Sequence, residues 1–250
     1  MMTIDELSQY REKGFSVIEN PLSDIETNLV ARECSMILDN LAQDEEPEFV
    51  DSIEERSDHL KKIFFTGPFV AIAEQIIGPD IALFMAHITS KSPGKSLRFD
   101  WHQDAYFFPI SPMKTFTLWM SIDGSNEERG CVKALPGSHK NQEIYPHVET
   151  EWAHEGSGKS LLAKGIQGID PNDTVNIELP YGGISLHDPY TIHGSGANVS
   201  ASRRTGLVLR YMATDAKLDR SQISRTDWRK LKLYYLRGNR GTENSYTKWK

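Results

Sequence analysis

Hydrophobic side chains in the first third of the chain recur at the spacing of helices. Within residues 23–42, apolar positions follow one another every three or four residues, which predicts an amphipathic helix. Similar spacing predicts a short helix at residues 3–13 and two consecutive helices within residues 57–77. Residues 15–18 alternate between apolar and polar, which predicts one strand. Residues 1–79 are therefore interpreted as a mostly helical support.

The pattern changes after residue 80. Short apolar or alternating runs now follow one another, separated by glycine and proline, and this texture is typical of a β-sandwich or barrel. The runs occupy residues 81–90, 97–103, 114–122, 131–135, 173–179, 183–187 and 205–213. Residues 138–172 have no such pattern, and a loop of that length is interpreted as a lid or insert beside a site. The predicted β core spans residues 80–215.

The last segment, residues 216–250, is basic and rich in aromatic side chains. One interpretation is a patch that binds phosphate or nucleic acid. The favoured interpretation is a C-terminal helical tail that packs its aromatic side chains on the more acidic body. Together the three segments predict a single domain over residues 1–250, mainly β with flanking helices.

Composition narrows the class of protein. A net charge of -7 argues against a general nucleic-acid binder, and 38% hydrophobic residues fit a globular domain. The acidic stretch at residues 44–48 is interpreted as a solvated loop. Two cysteines without CxxC spacing, Cys34 and Cys131, are expected to be buried thiols in a reducing compartment. With no signal pattern and no run of ~20 apolar residues, we expect a cytoplasmic protein without a membrane partner.

Candidate chemistry begins at His102 and Asp104. Residues two apart on a strand point to the same side, so the imidazole and the carboxylate can reach one metal ion. Two histidines and one carboxylate form a face that leaves positions open on Fe(II), and His193 is the preferred third ligand. His187 is the rival candidate for that position. An HxD triplet alone is weak evidence.

Arg204 supports the metal-site hypothesis because it lies at the start of an apolar strand. A buried arginine needs a partner, and its guanidinium matches the geometry of a carboxylate. A small keto diacid bound to the metal at one end and to Arg204 at the other would satisfy both groups. The alternative is that Arg204 pairs with a nearby acidic side chain.

The order of these motifs resembles the phytanoyl-CoA dioxygenase (PhyH) family of Fe(II)- and 2-oxoglutarate-dependent oxygenases. The resemblance covers roughly residues 67–213, and its specificity lies in the ordered set rather than in any single motif. The set comprises Trp101-His102-Gln103-Asp104, Trp119, Asn126, Gly130-Cys131, Pro136-Gly137-Ser138-His139, His193-Gly194-Ser195, Asn198 and Arg204.

This resemblance implies a fold and a set of cofactors. The fold is a double-stranded β-helix, or jelly roll, with the N-terminal helices packed on one sheet. The cofactors are Fe(II), 2-oxoglutarate as co-substrate, and O2. In related halogenases a small residue replaces the carboxylate, so Asp104 favours hydroxylation or another oxidation. Pro136-Gly137-Ser138-His139 is interpreted as a structural turn, which removes His139 from the ligand candidates.

The resemblance also implies a role for each site residue. His102, Asp104 and His193 would bind iron and form the catalytic centre. Arg204 would hold the distal carboxylate of 2-oxoglutarate. The other positions assigned to the 2-oxoglutarate pocket are Gln103, Trp119, Ser195 and His87.

Candidate substrate residues flank these motifs: Arg98, Tyr106, Phe108 and Arg210. Arg210 is expected either to face the barrel and bind an anionic group or to form a structural salt bridge. The predicted reaction is hydroxylation of an unactivated C–H bond in a small metabolite, with release of succinate and CO2. The alternatives are a non-catalytic jelly-roll protein that binds metal or 2-oxoglutarate, and a zinc hydrolase, which has no need for Arg204. The oligomeric state is not predicted.

Overall fold

The computed structural model describes residues 1–93, 98–149, 164–222 and 230–249. Its helices are α1 (Ile4–Lys13), α2 (Asp24–Asp39), α3 (Asp58–Thr66), α4 (Pro68–Ile77) and the single turn α5 (Asp104–Phe107). Its strands are β1 (Phe15–Ile18), β2 (Val50–Asp51), β3 (Ile81–Lys91), β4 (Phe99–His102), β5 (Ile110–Ser111), β6 (Thr115–Ser121), β7 (Val132–Ala134), β8 (Val148–Glu149), β9 (Lys164–Gly165), β10 (Val175–Ile177), β11 (Ile184–His187), β12 (His193–Ser195), β13 (Arg204–Ala213), β14 (Lys217–Leu218) and β15 (Tyr234–Arg237). The predicted N-terminal helices and the strand at residues 15–18 are confirmed.

Local capping residues define the N-terminal helices. Thr3 and Ser23 begin α1 and α2, each with a glutamate three residues later that completes a capping box. Gly14 ends α1 in the left-handed region at φ 85°, where glycine carries no steric penalty. A Cβ at Gly14 would lie 2.2 Å from the Thr191 hydroxyl, so the chain needs glycine there for two reasons.

Two sheets form the core. The larger has the strand order β1-β11-β6-β13-β3-β15, with β2 also paired to β3, and the smaller has the order β10-β7-β12-β4. An apolar cluster joins their inner faces: Phe15, Trp119, Val132, Ala134, Ile177, Leu179 and Val208. Because β1, β2 and β15 belong to the large sheet, the β core extends beyond the predicted residues 80–215 at both ends.

The helices cover the outer face of the large sheet, as predicted. Outward side chains of β13, including Leu207, Leu209 and Tyr211, lie in the same buried cluster as Val30 of α2 and Phe64 of α3. The Tyr211 hydroxyl donates to the Phe64 carbonyl over 2.9 Å. Fully burying side chains of this size stabilises the fold by roughly 1.5–3 kcal/mol each.

The inner face of β13 carries polar residues toward the second sheet. Because side chains alternate along a strand, Arg204, Gly206, Val208 and Arg210 share this face. Arg210 pairs in register with Thr117 of β6, whose other neighbour in the sheet is His187 of β11. Arg210, Thr117 and His187, which are far apart in the sequence, therefore lie side by side across the large sheet.

The C-terminal tail contacts the body as a strand. The predicted helix is wrong for Tyr234–Arg237, which pairs with β3 as β15. Docking on the acidic body is confirmed, since Lys232 forms an ion pair with Glu55 and Trp249 packs edge-on against Phe65. The remainder of the tail interpretation, for residues 223–229 and 250, lies outside the described residues.

Part of the predicted lid also lies outside the described residues, at 150–163. The described flanks pair with each other as β8 and β9. Both cysteines are free and buried, as predicted. Within the described ranges, no helix is long and apolar enough to cross a membrane.

Glu54 gives the fold an expected pH dependence. Only 6% of the residue is exposed, Oε2 has no hydrogen-bond partner among the described residues, and burial raises the pKa of Glu54 from 4.5 to about 7. When folding raises the pKa of a carboxyl, the free energy of unfolding falls as the pH rises from the pKa of the unfolded state through that of the folded state. Glu54→Gln is therefore expected to raise the free energy of unfolding by about 2–3 kcal/mol at pH 8 and little at pH 4. Urea unfolding at the two pH values measures this difference, and an equal effect at both would contradict it.

Candidate metal and co-substrate site

Two histidines face each other across the small sheet. His102 of β4 and His193 of β12 are direct antiparallel partners, and their ring centroids lie 4.2 Å apart. His102 Nδ1 lies 2.7 Å from the Asp100 carbonyl, and His193 Nδ1 lies 2.9 Å from the Thr191 carbonyl. A carbonyl only accepts, so each Nδ1 carries a proton, and each Nε2 is the ring atom left for a metal, as in metal-bound histidines.

Asp104 completes the cluster from outside the strand. The structure corrects the expected geometry, because β4 ends at His102 and Asp104 begins α5 after an extended Gln103. One potential ligand atom from each of His102, Asp104 and His193 lies within 4.8 Å of the others, and all three residues are buried. His187, the rival candidate, is not part of this group.

Neighbouring groups hold Asp104 in its charged form. The Thr117 hydroxyl donates to Oδ2 over 2.5 Å, and Arg210 Nη2 donates to Oδ1 over 3.3 Å. Burial alone would raise the pKa of Asp104, but the Arg210 guanidinium and the hydrogen bond from Thr117 lower it below its usual range. Burial lowers the pKa of His102 to about 3, so this imidazole is neutral. A charged carboxylate and a neutral imidazole are the forms that bind a metal.

The cluster lies in a cavity of about 320 Å³ between the two sheets. The large sheet and the segment before β2 supply most of its wall, and β4, β7, β12 and α5, with Arg56 and Phe108, supply the rest. The lining residues are Glu45, Glu46, Glu48, Phe49, Asp51, Arg56, His87, Thr89, Phe99, His102, Asp104, Phe107, Phe108, Thr117, Trp119, Val132, His187, His193, Gly194, Ser195, Arg204, Val208 and Arg210.

Arg204 lines this cavity as a buried cation. It is 2% exposed, Nη2 donates to the Gly130 carbonyl over 2.7 Å, and Nε has no hydrogen-bond partner within the residues that the structure describes. Burial lowers the pKa of Arg204 to about 10. Among the described residues it forms no ion pair, which removes the alternative that a nearby acidic side chain satisfies it. Its position suits an anionic ligand.

Trp119 lies beneath the guanidinium, with the ring centroid 4.9 Å from the Arg204 Cζ atom. The ring fits because the adjacent position on β13 is Gly206. A Cβ at Gly206 would come within 2.2 Å of the indole. Trp119 therefore lines the cavity beside Arg204, next to the pocket predicted for 2-oxoglutarate.

Ser195 lines the cavity, but its hydroxyl has a protein partner. Lys91, 1% exposed at the end of β3, donates from Nζ to Ser195 Oγ over 2.6 Å. Lys91 also donates to the Gly196 carbonyl. Lys91 was not among the predicted site residues, although a lysine at the end of a long apolar strand was the available signal.

The structure corrects the expectation for Gln103. Its side chain donates to the carbonyls of Glu143 and Tyr190 and accepts from the Tyr145 N–H, and the residue does not line the cavity. Gln103 thus fixes loops behind the site. His87 does line the cavity, with the Phe49 ring 4.5 Å from its own.

Two of the predicted substrate residues, Arg98 and Tyr106, are exposed and are not among the residues that line the cavity. Tyr106 stacks on His147 with 3.9 Å between ring centroids. Phe108 lines the cavity beneath Arg210, 4.9 Å from its Cζ atom. His139 lies outside the cavity, as predicted.

Arg210 adopts the structural alternative, because its salt-bridge partner is Asp104 itself. Its Nε also donates over 3.2 Å to the Thr117 hydroxyl, which in turn donates to Asp104.

Arg210→Met is expected to weaken Fe(II) binding about 10- to 100-fold, because partners that orient a ligand have effects of this size. Anaerobic Fe(II) titration measures the affinity, with Arg32→Met as the control for an exposed, paired arginine. Equal affinities for wild type and Arg210→Met would show that the contact does not support the metal.

Comparison with known proteins agrees with this geometry. The model of the phytanoyl-CoA dioxygenase (PhyH) family matches residues 10–206, and the chain belongs to that family. The epimerase SnoN, solved with Fe3+, alpha-ketoglutarate and nogalamycin RO, shares the fold with a TM-score of 0.71 at 22% identity, over 88% of this chain and 86% of that one. The predicted jelly-roll core is confirmed.

Two sequence relatives extend the comparison. A Stutzerimonas stutzeri protein named "Probable alpha-ketoglutarate-dependent hypophosphite dioxygenase" is 33% identical over 64% of this chain and 54% of its own length. The peroxisomal phytanoyl-CoA dioxygenase of Mus musculus is 27% identical over 87% of this chain and 70% of its own length. The match thus spans about half of the first relative and over two thirds of the second.

Proposed function

We propose that this chain is an Fe(II)- and 2-oxoglutarate-dependent dioxygenase that hydroxylates an unactivated C–H bond of a small metabolite. One observation carries the proposal: a single cavity contains both a cluster of three buried potential metal ligands and a buried arginine without an ion-pair partner among the described residues. A zinc hydrolase would use the first feature and not the second. The family match supports the same assignment.

The residues present fit the cofactors. His102 and His193 offer their Nε2 atoms, and Asp104 offers a carboxylate oxygen from the same side. This donor set suits Fe(II) and leaves coordination positions open. Arg204 offers a guanidinium to the distal carboxylate of 2-oxoglutarate, and Trp119 supports it from below.

When bound, Fe(II) and 2-oxoglutarate supply the oxidising chemistry: O2 and 2-oxoglutarate are consumed, succinate and CO2 leave, and one oxygen atom is added to the substrate. The chain's own residues provide orientation. Apolar side chains of Phe99, Val132 and Val208 limit water beside the metal ligands. Exclusion of water strengthens the electrostatic contacts inside the site.

Cavity size favours a small substrate. Ligand pockets in proteins measure roughly 300–1,000 Å³, and this cavity of about 320 Å³ has to hold both 2-oxoglutarate and the substrate. Arg204 and the metal cluster account for the co-substrate. The remaining space, beside Phe49, Phe107 and Phe108, suits a compact metabolite.

Anaerobic addition of Fe(II) and 2-oxoglutarate tests the proposal. Chelation of the keto acid is expected to produce a visible charge-transfer band, and its absence in folded protein would overturn the cofactor assignment. On exposure to O2, succinate release stimulated by a small metabolite is the expected result. A band without any succinate release would favour a non-catalytic binding protein.

A further inference from the structure

The segment before β3 gives the cavity an acidic entrance. Four carboxylates line it from residues 45–51, and we call Glu45, Glu46, Glu48 and Asp51 the acidic rim. The stretch at residues 44–48 is a loop with Asp44 and Glu46 exposed, as expected. Its three glutamates also line the cavity, next to the edge of the large sheet where β2 pairs with β3.

The described lining of the cavity contains more carboxylates than arginines. Two of the arginines form ion pairs, Arg56 with Glu45 and Arg210 with Asp104, and Arg204 faces the proposed position of the co-substrate. The rest of the acidic rim forms no ion pair with a described residue. The space beyond the co-substrate therefore has an excess of negative charge.

Asp51 is the innermost member of the rim. It pairs in register with His87, so it shares the inner face of the large sheet, and it is half-buried. Its side chain accepts the Ser52 N–H over 2.8 Å, and burial raises the pKa of Asp51. The Phe49 ring packs nearby on His87. A carboxylate beside an aromatic ring is a suitable contact for an organic cation.

A second observation points to a ligand deeper in the cavity. His187 lines the same cavity, is 2% exposed, and its Nε2 atom has no hydrogen-bond partner in the described part of the chain. Buried polar groups in proteins almost always have a partner, so this atom is expected to meet a polar group of a bound molecule. The ligand then carries a charged group at the rim and a polar group near His187.

From these contacts we infer that the substrate is a small organic cation, an amine or guanidinium compound, whose charged group binds the acidic rim. This inference rests on the proposed function and names its substrate class. It differs from the anionic substrate expected from Arg210, which is neutralised by Asp104. It also separates this chain from a dioxygenase of hypophosphite, which is an anion.

Matched probes of one size test the inference. Butylammonium, 1-butanol and butyrate are titrated anaerobically into the protein loaded with Fe(II) and 2-oxoglutarate, and binding is measured by calorimetry. Butylammonium is expected to bind about tenfold more tightly than the other two. Equal binding, tighter binding of butyrate, or no binding of butylammonium would overturn the inference.

Variants of the rim sharpen the test. Asp51→Asn and Glu48→Gln are each expected to remove most of the preference for butylammonium. Asp39→Asn, which changes an exposed carboxylate at the end of α2, is expected to retain it. Thermal unfolding separates binding from folding, since loss of a half-buried carboxylate at Asp51 is expected to leave the melting temperature unchanged or higher.

The charge-transfer band separates two kinds of failure. If the loaded wild-type protein shows no band, the proposed function fails. If the band forms and the probes show no preference for the cation, only the substrate class is wrong. A preference that persists in both rim variants would place the cation elsewhere and also contradict the inference.

Discussion

An Arg204→Met variant is expected to need at least about 30-fold more 2-oxoglutarate than the wild-type protein for half-maximal succinate formation. Arg204 is the buried cation at the proposed position of the distal carboxylate, and methionine preserves bulk without charge. Steady-state assays at varied 2-oxoglutarate measure the requirement. Arg203→Met is the matched control, because Arg203 does not line the cavity.

The Arg204→Met substitution is expected to leave the fold as stable as wild type or more stable, although it weakens the binding of 2-oxoglutarate. Without ligand, the Arg204 guanidinium is buried with an unpartnered Nε, and replacing such a charge by an apolar side chain is often neutral or stabilising. Arg204→Met is therefore expected to unfold at an equal or higher urea concentration than wild type. A normal 2-oxoglutarate requirement would show that another residue binds the distal carboxylate.

Asp104→Ala is expected to reduce succinate formation by more than about 100-fold, since loss of a ligand exceeds the 10- to 100-fold effect of losing a ligand's partner. The substitution also leaves Arg210 buried without its carboxylate, at a cost of about 3–5 kcal/mol. Succinate release and urea unfolding measure the two effects separately.

A double variant separates the loss of the proposed metal ligand from the loss of stability. Asp104→Ala combined with Arg210→Met removes both charges and is expected to recover most of the lost stability and none of the activity. Recovery of activity would remove Asp104 from the metal ligands. Failure to recover stability would show that Asp104 has a structural role beyond its pairing with Arg210.

The sequence predicted the metal cluster because its chemistry is local in two short motifs. HxD places His102 and Asp104 within one turn of chain, and the glycine-rich segment after His193 marks a strand end. The fold class followed from periodicity, since helical spacing gives way to alternation after residue 80. The predicted geometry of the HxD motif was wrong, because Asp104 begins the helical turn α5 and does not lie on the strand with His102.

Contacts that depend on strand register could not be predicted in this way. Lys91 reaches Ser195 because β3 and β12 belong to different sheets that meet at one end, and no local pattern specifies that meeting. Likewise, Arg210 meets Asp104 through a register shared by β13 and β6. The acidic stretch at residues 44–48 had an ordinary solvated composition. Its position at the cavity follows from the two-residue pairing of β2.

The central strand β13 fixes the separation of two buried arginines. Arg204 and Arg210 lie on one side of this strand about 20 Å apart along the backbone, at ~3.3 Å per residue. Neighbouring strands pair with β13 on both sides and hold it in register. The guanidinium proposed to bind the co-substrate and the guanidinium that pairs with Asp104 therefore stay at opposite ends of one strand, and neither can replace the other.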